Sequence, residues 1–166
     1  MAGQDRDDDI RIEHPNRDKA SSKATRLIVV LLLLVSAGLT AVVSVGGWDT
    51  LQGARALQVA YIGLYVLLAF LVLRWRRGVL PVIAALAIIL GIFAAVAGPQ
   101  WFDRNKTGFT DPTLDEDILG LLTLILVPVQ ALLIGFAMQG FAQAWNVEVE
   151  RRPDGSTGAV PTPTLR

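Results

Sequence analysis

Four stretches of this chain run for roughly the thickness of a bilayer without a charged side chain. Leu27–Gly46, Ala56–Leu73, Val79–Gly98 and Ile118–Ala144 hold no Asp, Glu, Lys, Arg or His. A helix needs about 20 apolar residues to cross a hydrocarbon core of about 30 Å. These blocks are apolar on every side, which suits lipid better than a soluble core, where one helical face would stay polar. They do not alternate as the strands of a barrel would. The pattern predicts an all-α, polytopic membrane protein, an up-down-up-down bundle of four transmembrane helices with spans at about 27–46, 54–74, 79–98 and 115–140.

Helix punctuation predicts where the spans end. Gly46 and Gly47 close the first, and Asp49 with Gln52 forms a capping box that opens the second. Gly78 follows the second span, and Pro81 falls in the first turn of the third, where a missing N–H costs little. Gly98 and Pro99 are expected to stop the third. Thr113 with Glu116 forms another capping box, and Asp115, Glu116 and Asp117 suit a helix N-terminus electrostatically, so the fourth helix is expected from about Leu114 to about Trp145. The short connection Arg74–Gly78 is expected to make spans two and three antiparallel neighbours. Trp48, Trp75, Trp101 and Trp145 all fall at span ends, where an indole sits at the membrane–water interface.

The 15 basic and 15 acidic residues cancel, which leaves no global electrostatic reason to bind nucleic acid. Sorted by the predicted topology, twelve Lys and Arg lie on the side of both termini and three (Arg55, Arg104, Lys106) on the other. The positive-inside rule then places both termini in the cytoplasm. The cytoplasmic side carries a net +3 and the outer side −3. The first span follows 26 polar and charged residues, unlike a cleaved signal peptide. Small size and the absence of Cys fit a plasma membrane protein, with a bacterial inner membrane as the expected location.

Residues 1–26 are charge-mixed without apolar periodicity and are expected to form a disordered cytoplasmic tail, as is the Pro- and Gly-bearing segment 146–166. Residues 99–114 form an acidic extracytoplasmic loop. In it Asp103, Asn105, Thr107 and Gly108 match positions one, three, five and six of an EF-hand-type calcium loop, with Asp111 at position nine. Position twelve is Leu114 rather than Glu, so Asp103, Asn105, Thr107 and Asp111 make only a partial calcium set, beside the plain reading of a solvated, turn-rich loop. Asn105–Thr107 is also a glycosylation sequon.

Function inside a membrane usually announces itself as costly polar groups at depth. No Asp, Glu, Lys, Arg or His lies in the four charge-free stretches, which argues against proton-coupled transport. Met138 is the only Met in a span, and the lone His14 lies outside, so haem ligation has no support. No catalytic constellation or cofactor motif is visible. What remains is neutral polarity on helix faces: Ser36, Thr40 and Ser44 on the first span, and Gln58, Tyr61 and Tyr65 on the second. Small side chains line the third (Ala84, Ala87, Gly91, Ala95, Gly98), and Ala131 pairs with Gly135 on the fourth. Pro128 predicts a kink, and Gln130, near mid-span, is expected to bond Tyr65 or Thr40. Thr40, Gln58, Tyr61, Tyr65 and Gln130 form the candidate intramembrane polar face.

The expected role is that of a non-catalytic structural or accessory subunit, in contact with the lipid bilayer and packing through small-residue faces into a homo-oligomer or a larger membrane complex. The alternative is a channel or uncoupled carrier for a neutral solute or lipid. A third class, an enzyme using the loop carboxylates Asp103, Asp111, Asp115, Glu116 and Asp117, lacks a base partner.

Overall fold

The computed structural model describes residues 11–51, 53–104, 111–151 and 157–158. A single turn, α1 (Pro15–Asp18), precedes four long helices: α2 (Ala20–Gly46), α3 (Arg55–Leu73), α4 (Leu80–Phe102) and α5 (Glu116–Ala142). All four are long and apolar enough to cross a membrane. Each begins or ends within a few residues of the predicted span, and the departures have local causes.

At the start of α2 two extra turns replace part of the expected tail. Ser22 and Thr25 on those turns are buried, and Gln143 Nε2 donates to Thr25 Oγ1 at 3.0 Å. Asp49 does not cap α3. The N-cap position is Ala54, without a side-chain hydrogen bond, and Asp49 instead lies 4.0 Å from Arg55; Gln52 is outside the described residues. Gly98 and Pro99 do not stop α4, which continues to Phe102. Gly98 is there for close packing: a Cβ at that position would lie 2.6 Å from Leu124 Cδ2. Helix α5 is capped by Asp115, not Thr113; Asp115 Oδ1 accepts from the Asp117 N–H at 2.9 Å. The helix runs unbroken through Pro128.

The turn after α3 uses Trp75 rather than Gly78. The Trp75 N–H bonds the Val72 carbonyl and the Arg76 N–H bonds Leu71, the paired bonds of a Schellman motif, with Trp75 in the left-handed region at φ 60°. Ala144, just past α5, has φ 50°. For a residue with a Cβ this conformation costs roughly 1–2 kcal/mol, so both turns are held by what surrounds them. Gly46 and Gly47 do close α2, but their smallness serves packing. A Cβ would meet Leu114 at the first and the Trp101 ring at the second.

Helix α2 packs against α3 and α5, and α4 packs against α5. Ser44 meets Gln58 near one end of the α2–α3 pair, and Arg26 Nη1 reaches the Leu73 carbonyl at 3.3 Å near the other. Among the described residues α3 and α4 form no comparable packed pair, despite the short connection between them. The expectation that a tight link would make them packed neighbours is therefore corrected: the link joins their ends, and α2 and α5 hold the bodies apart.

Residues 11–26 and 146–151 also depart from the expected disorder. Strand β1 (Arg11–Glu13) pairs antiparallel with β2 (Val149–Arg151), which pairs with β3 (Thr157–Gly158). Asn16 Nδ2 donates to the Ala144 carbonyl at 3.1 Å and Arg17 Nε to that of Trp145 at 3.0 Å. Backbone pairing supplies order that side-chain periodicity did not forecast.

The main core gathers at the end of the bundle that carries the termini. It includes Val29, Leu33, Tyr65, Val72, Leu80, Ile83, Leu133 and the fully buried Trp145. A second, smaller cluster of Val43, Trp101 and Leu119 closes the loop end.

Candidate functional site

Two arrangements stand out in the bundle, one polar and one mostly apolar. The first is a closed layer. Gln130 on α5 is 1% exposed. Its Oε1 accepts from the Tyr65 hydroxyl at 2.9 Å, and its Nε2 donates to Ser36 Oγ at 2.9 Å. Ser36 in turn donates to the Leu32 carbonyl at 2.7 Å. Three helices are thereby tied at one level by groups that would each cost several kcal/mol if left unpaired in an apolar setting. The expected Gln130–Tyr65 bond is present. Ser36 takes the place expected for Thr40, because Thr40 Oγ1 donates back to the Ser36 carbonyl at 2.8 Å. The same back-bonding occupies Thr123 (to Leu119), while Ser44 shares its hydroxyl between the Thr40 carbonyl and Gln58 Oε1. Gly91 on α4 faces this layer, where a Cβ would sit 3.4 Å from Gln130 Cβ.

The second arrangement is open. Between α3 and α4, on the loop side of the Gln130 layer, lies a cleft of about 340 Å³. Thr40, Val43 and Thr123 form its floor, from α2 and α5, and its walls are built largely of hydrocarbon, including Leu57 and Tyr61 on α3 and Phe93 on α4. Gln58, whose Oε1 accepts from the Ser44 hydroxyl, also lines it. The volume lies in the range typical of small-molecule sites, roughly 300–1,000 Å³. Leu57 and Phe93 are about half exposed, so the cleft opens sideways, toward the surroundings of the bundle.

The candidate polar face is thus divided. Tyr65 and Gln130 belong to the closed layer, while Thr40, Gln58 and Tyr61 border the cleft. The cleft itself has no signature in the sequence. Its walls carry the same Leu, Phe and Ala as the exposed outer surface of the helices, and only the lateral order of the helices creates it.

The small-residue faces also divide. Ala84, Ala87 and Gly98 are buried within the bundle. Ala131 and Gly135 face outward, as do Ala95, Gly38 and Gly63. The four tryptophans do not form a simple belt: Trp101 and Trp145 are buried, whereas Trp48 is 41% exposed. Trp145 lies edge-on to Trp75 with ring centroids 5.3 Å apart, and the Arg26 guanidinium stacks on Trp75 at 4.2 Å.

Of the calcium set, Asn105 and Thr107 lie outside the described residues, and Asp103 and Asp111 are exposed. Among the described residues no three Asp, Glu, His or Cys side chains cluster closely enough to hold a metal ion. Asp115, Glu116 and Asp117 sit at the start of α5, where Asp115 serves as a cap. No family model, curated protein or solved structure was found to match this chain.

Proposed function

We propose that this protein is a non-catalytic accessory subunit of a membrane assembly. Its four helices cross the bilayer up-down-up-down, with both termini in the cytoplasm, and it offers outward helix faces to neighbouring membrane helices, from a second copy or a larger complex. A bacterial inner membrane is the proposed setting.

The contrast between two kinds of glycine carries this reading. Gly46, Gly47, Gly98, Gly120 and Gly140 are each clamped by a neighbouring side chain. At Gly38, Gly63 and Gly135, on three different helices, an added Cβ would meet nothing within 4 Å. A helical glycine costs about 1 kcal/mol relative to alanine, and in membranes small residues let a second helix approach closely. Gly135 has Ala131 one turn away on the same exposed face. A polar path for a solute has less behind it, since the buried hydroxyls and amides are bonded to one another or to their own helices. The Arg distribution supports the orientation: Arg17, Arg26 and Arg77 all contact groups at the terminal end of the bundle.

The test is the mass of the particle extracted in native lipid discs. The proposal expects a particle heavier than one chain, with Gly135→Leu and Gly63→Leu releasing the monomer while helix content is unchanged. A monomer for the unmodified chain and both variants would refute it.

A further inference from the structure

The α3–α4 cleft has a property that the accessory role does not use. Along α4 it extends from Leu90 to Gln100, ten residues or about 15 Å. That is half of a hydrocarbon core of about 30 Å, the depth of one leaflet. Its inner limit is the Gln130 layer and its outer limit the helix ends. There it continues into a second depression of about 310 Å³, with which it shares Leu51, Ala54, Ala97 and Gln100. This mouth is polar: Thr50, Gln100, Trp101 and Arg104 line it, and the Arg104 guanidinium lies 5.5 Å from the Trp101 ring. An apolar slot one leaflet deep therefore ends in a cationic and amide-bearing mouth at the level of the headgroups.

We propose that this cleft is a lipid site, taking one acyl chain of a glycerophospholipid from the leaflet at the loop end. The phosphate is seated at Arg104, with the Gln100 side-chain amide as a further donor. Water is a poor occupant, because the slot offers few polar partners. A single alkyl chain matches the hydrocarbon walls, and a phosphate matches the guanidinium, which is the usual recognition chemistry for such an anion. The inference rests on the membrane placement proposed above and not on the accessory role.

The full chain reconstituted in phosphatidylethanolamine–phosphatidylglycerol vesicles, with a trace of phosphatidylcholine carrying a mid-chain diazirine, tests it by photolabelling and peptide mapping. Labelling is expected to concentrate on cleft residues such as Leu57 and Phe93 over Ile88 and Leu132, which are equally exposed but lie outside the cleft. Leu57→Trp and Ala94→Phe fill the slot from opposite walls. Each should abolish the excess at Phe93 while labelling of Ile88 and Leu132 persists. Arg104→Gln should lower co-purified phospholipid about tenfold, the factor for losing one charge-assisted hydrogen bond. Even labelling of all four positions, or a cleft left unlabelled amid a labelled belt, would overturn the lipid site alone. Absence of label at Ile88 and Leu132 as well would overturn the membrane placement with it.

Discussion

The two halves of the bundle are built from the same four helices and nearly the same side chains, yet one is filled and the other is open. At the terminal end, Trp145 enters from beyond α5 and is completely buried against Trp75 and the Leu80 region. At the loop end, a cleft lies between α3 and α4, and among the described residues the core there is the small cluster of Val43, Trp101 and Leu119 with Leu51, Leu114 and Leu122 packed against it. The difference lies in a plug. Lipid is as apolar as leucine, so helices in a membrane gain nothing simply by hiding hydrocarbon from one another. A half of the bundle is filled where a side chain is large enough to occupy the space its helices leave. The terminal half has one, supplied by a segment outside the helices and held by a left-handed turn at Ala144.

Mutations that distinguish the halves follow in order of size, each read by reversible unfolding in mixed micelles. Trp145→Ala removes the plug and should cost about 3–5 kcal/mol, the usual price of emptying a buried aromatic site. A loss below about 1 kcal/mol would show that the terminal half is not held by this residue. Gly98→Val forces α4 away from Leu124 and should cost about 1–3 kcal/mol as overpacking. Gln130→Leu cuts both side-chain bonds of the layer between the halves. At about 0.6 kcal/mol per bond in a membrane protein, it should cost about 1 kcal/mol, and a double-mutant cycle with Tyr65→Phe should show coupling between the two. Ala144→Gly relieves the left-handed turn and should gain up to about 1 kcal/mol. Phe93→Ala, on the open wall, should change stability by less than about 0.5 kcal/mol, because that ring is half exposed and lipid can replace it. Equal costs for Phe93→Ala and Trp145→Ala would erase the distinction between the halves.

The four helices were legible because an uninterrupted apolar run is a local signal. Gln130 was legible as a bonded group because an amide in an otherwise apolar helix has to find a partner; of the two candidates, Tyr65 and Thr40, it bonds Tyr65, and its second partner, Ser36, was not foreseen. The ends were read less well. Gly98 resembles a helix stop in a soluble protein, but here it is a point of close approach inside α4. Trp145 resembles an interfacial anchor, and only the turn after α5 directs it inward. The pairing of Arg11–Glu13 with Val149–Arg151 joins segments at opposite ends of the chain, and three-residue strands carry no usable period. The cleft was hidden for a further reason. Periodicity tells which face of a helix is apolar, but not which helix stands beside it.

The side of the membrane on which the open half lies is decided by labelling single cysteines, for which the natural absence of Cys supplies a clean background. Cysteine at Asp103, an exposed position at the loop end, should react with a membrane-impermeant maleimide on intact cells. Cysteine at Arg76, exposed at the terminal end, should react only after the cells are permeabilised. Reaction of both positions on intact cells, or of Arg76→Cys alone, would contradict a bundle that crosses the membrane with its closed half toward the cytoplasmic face and its open half toward the outer face.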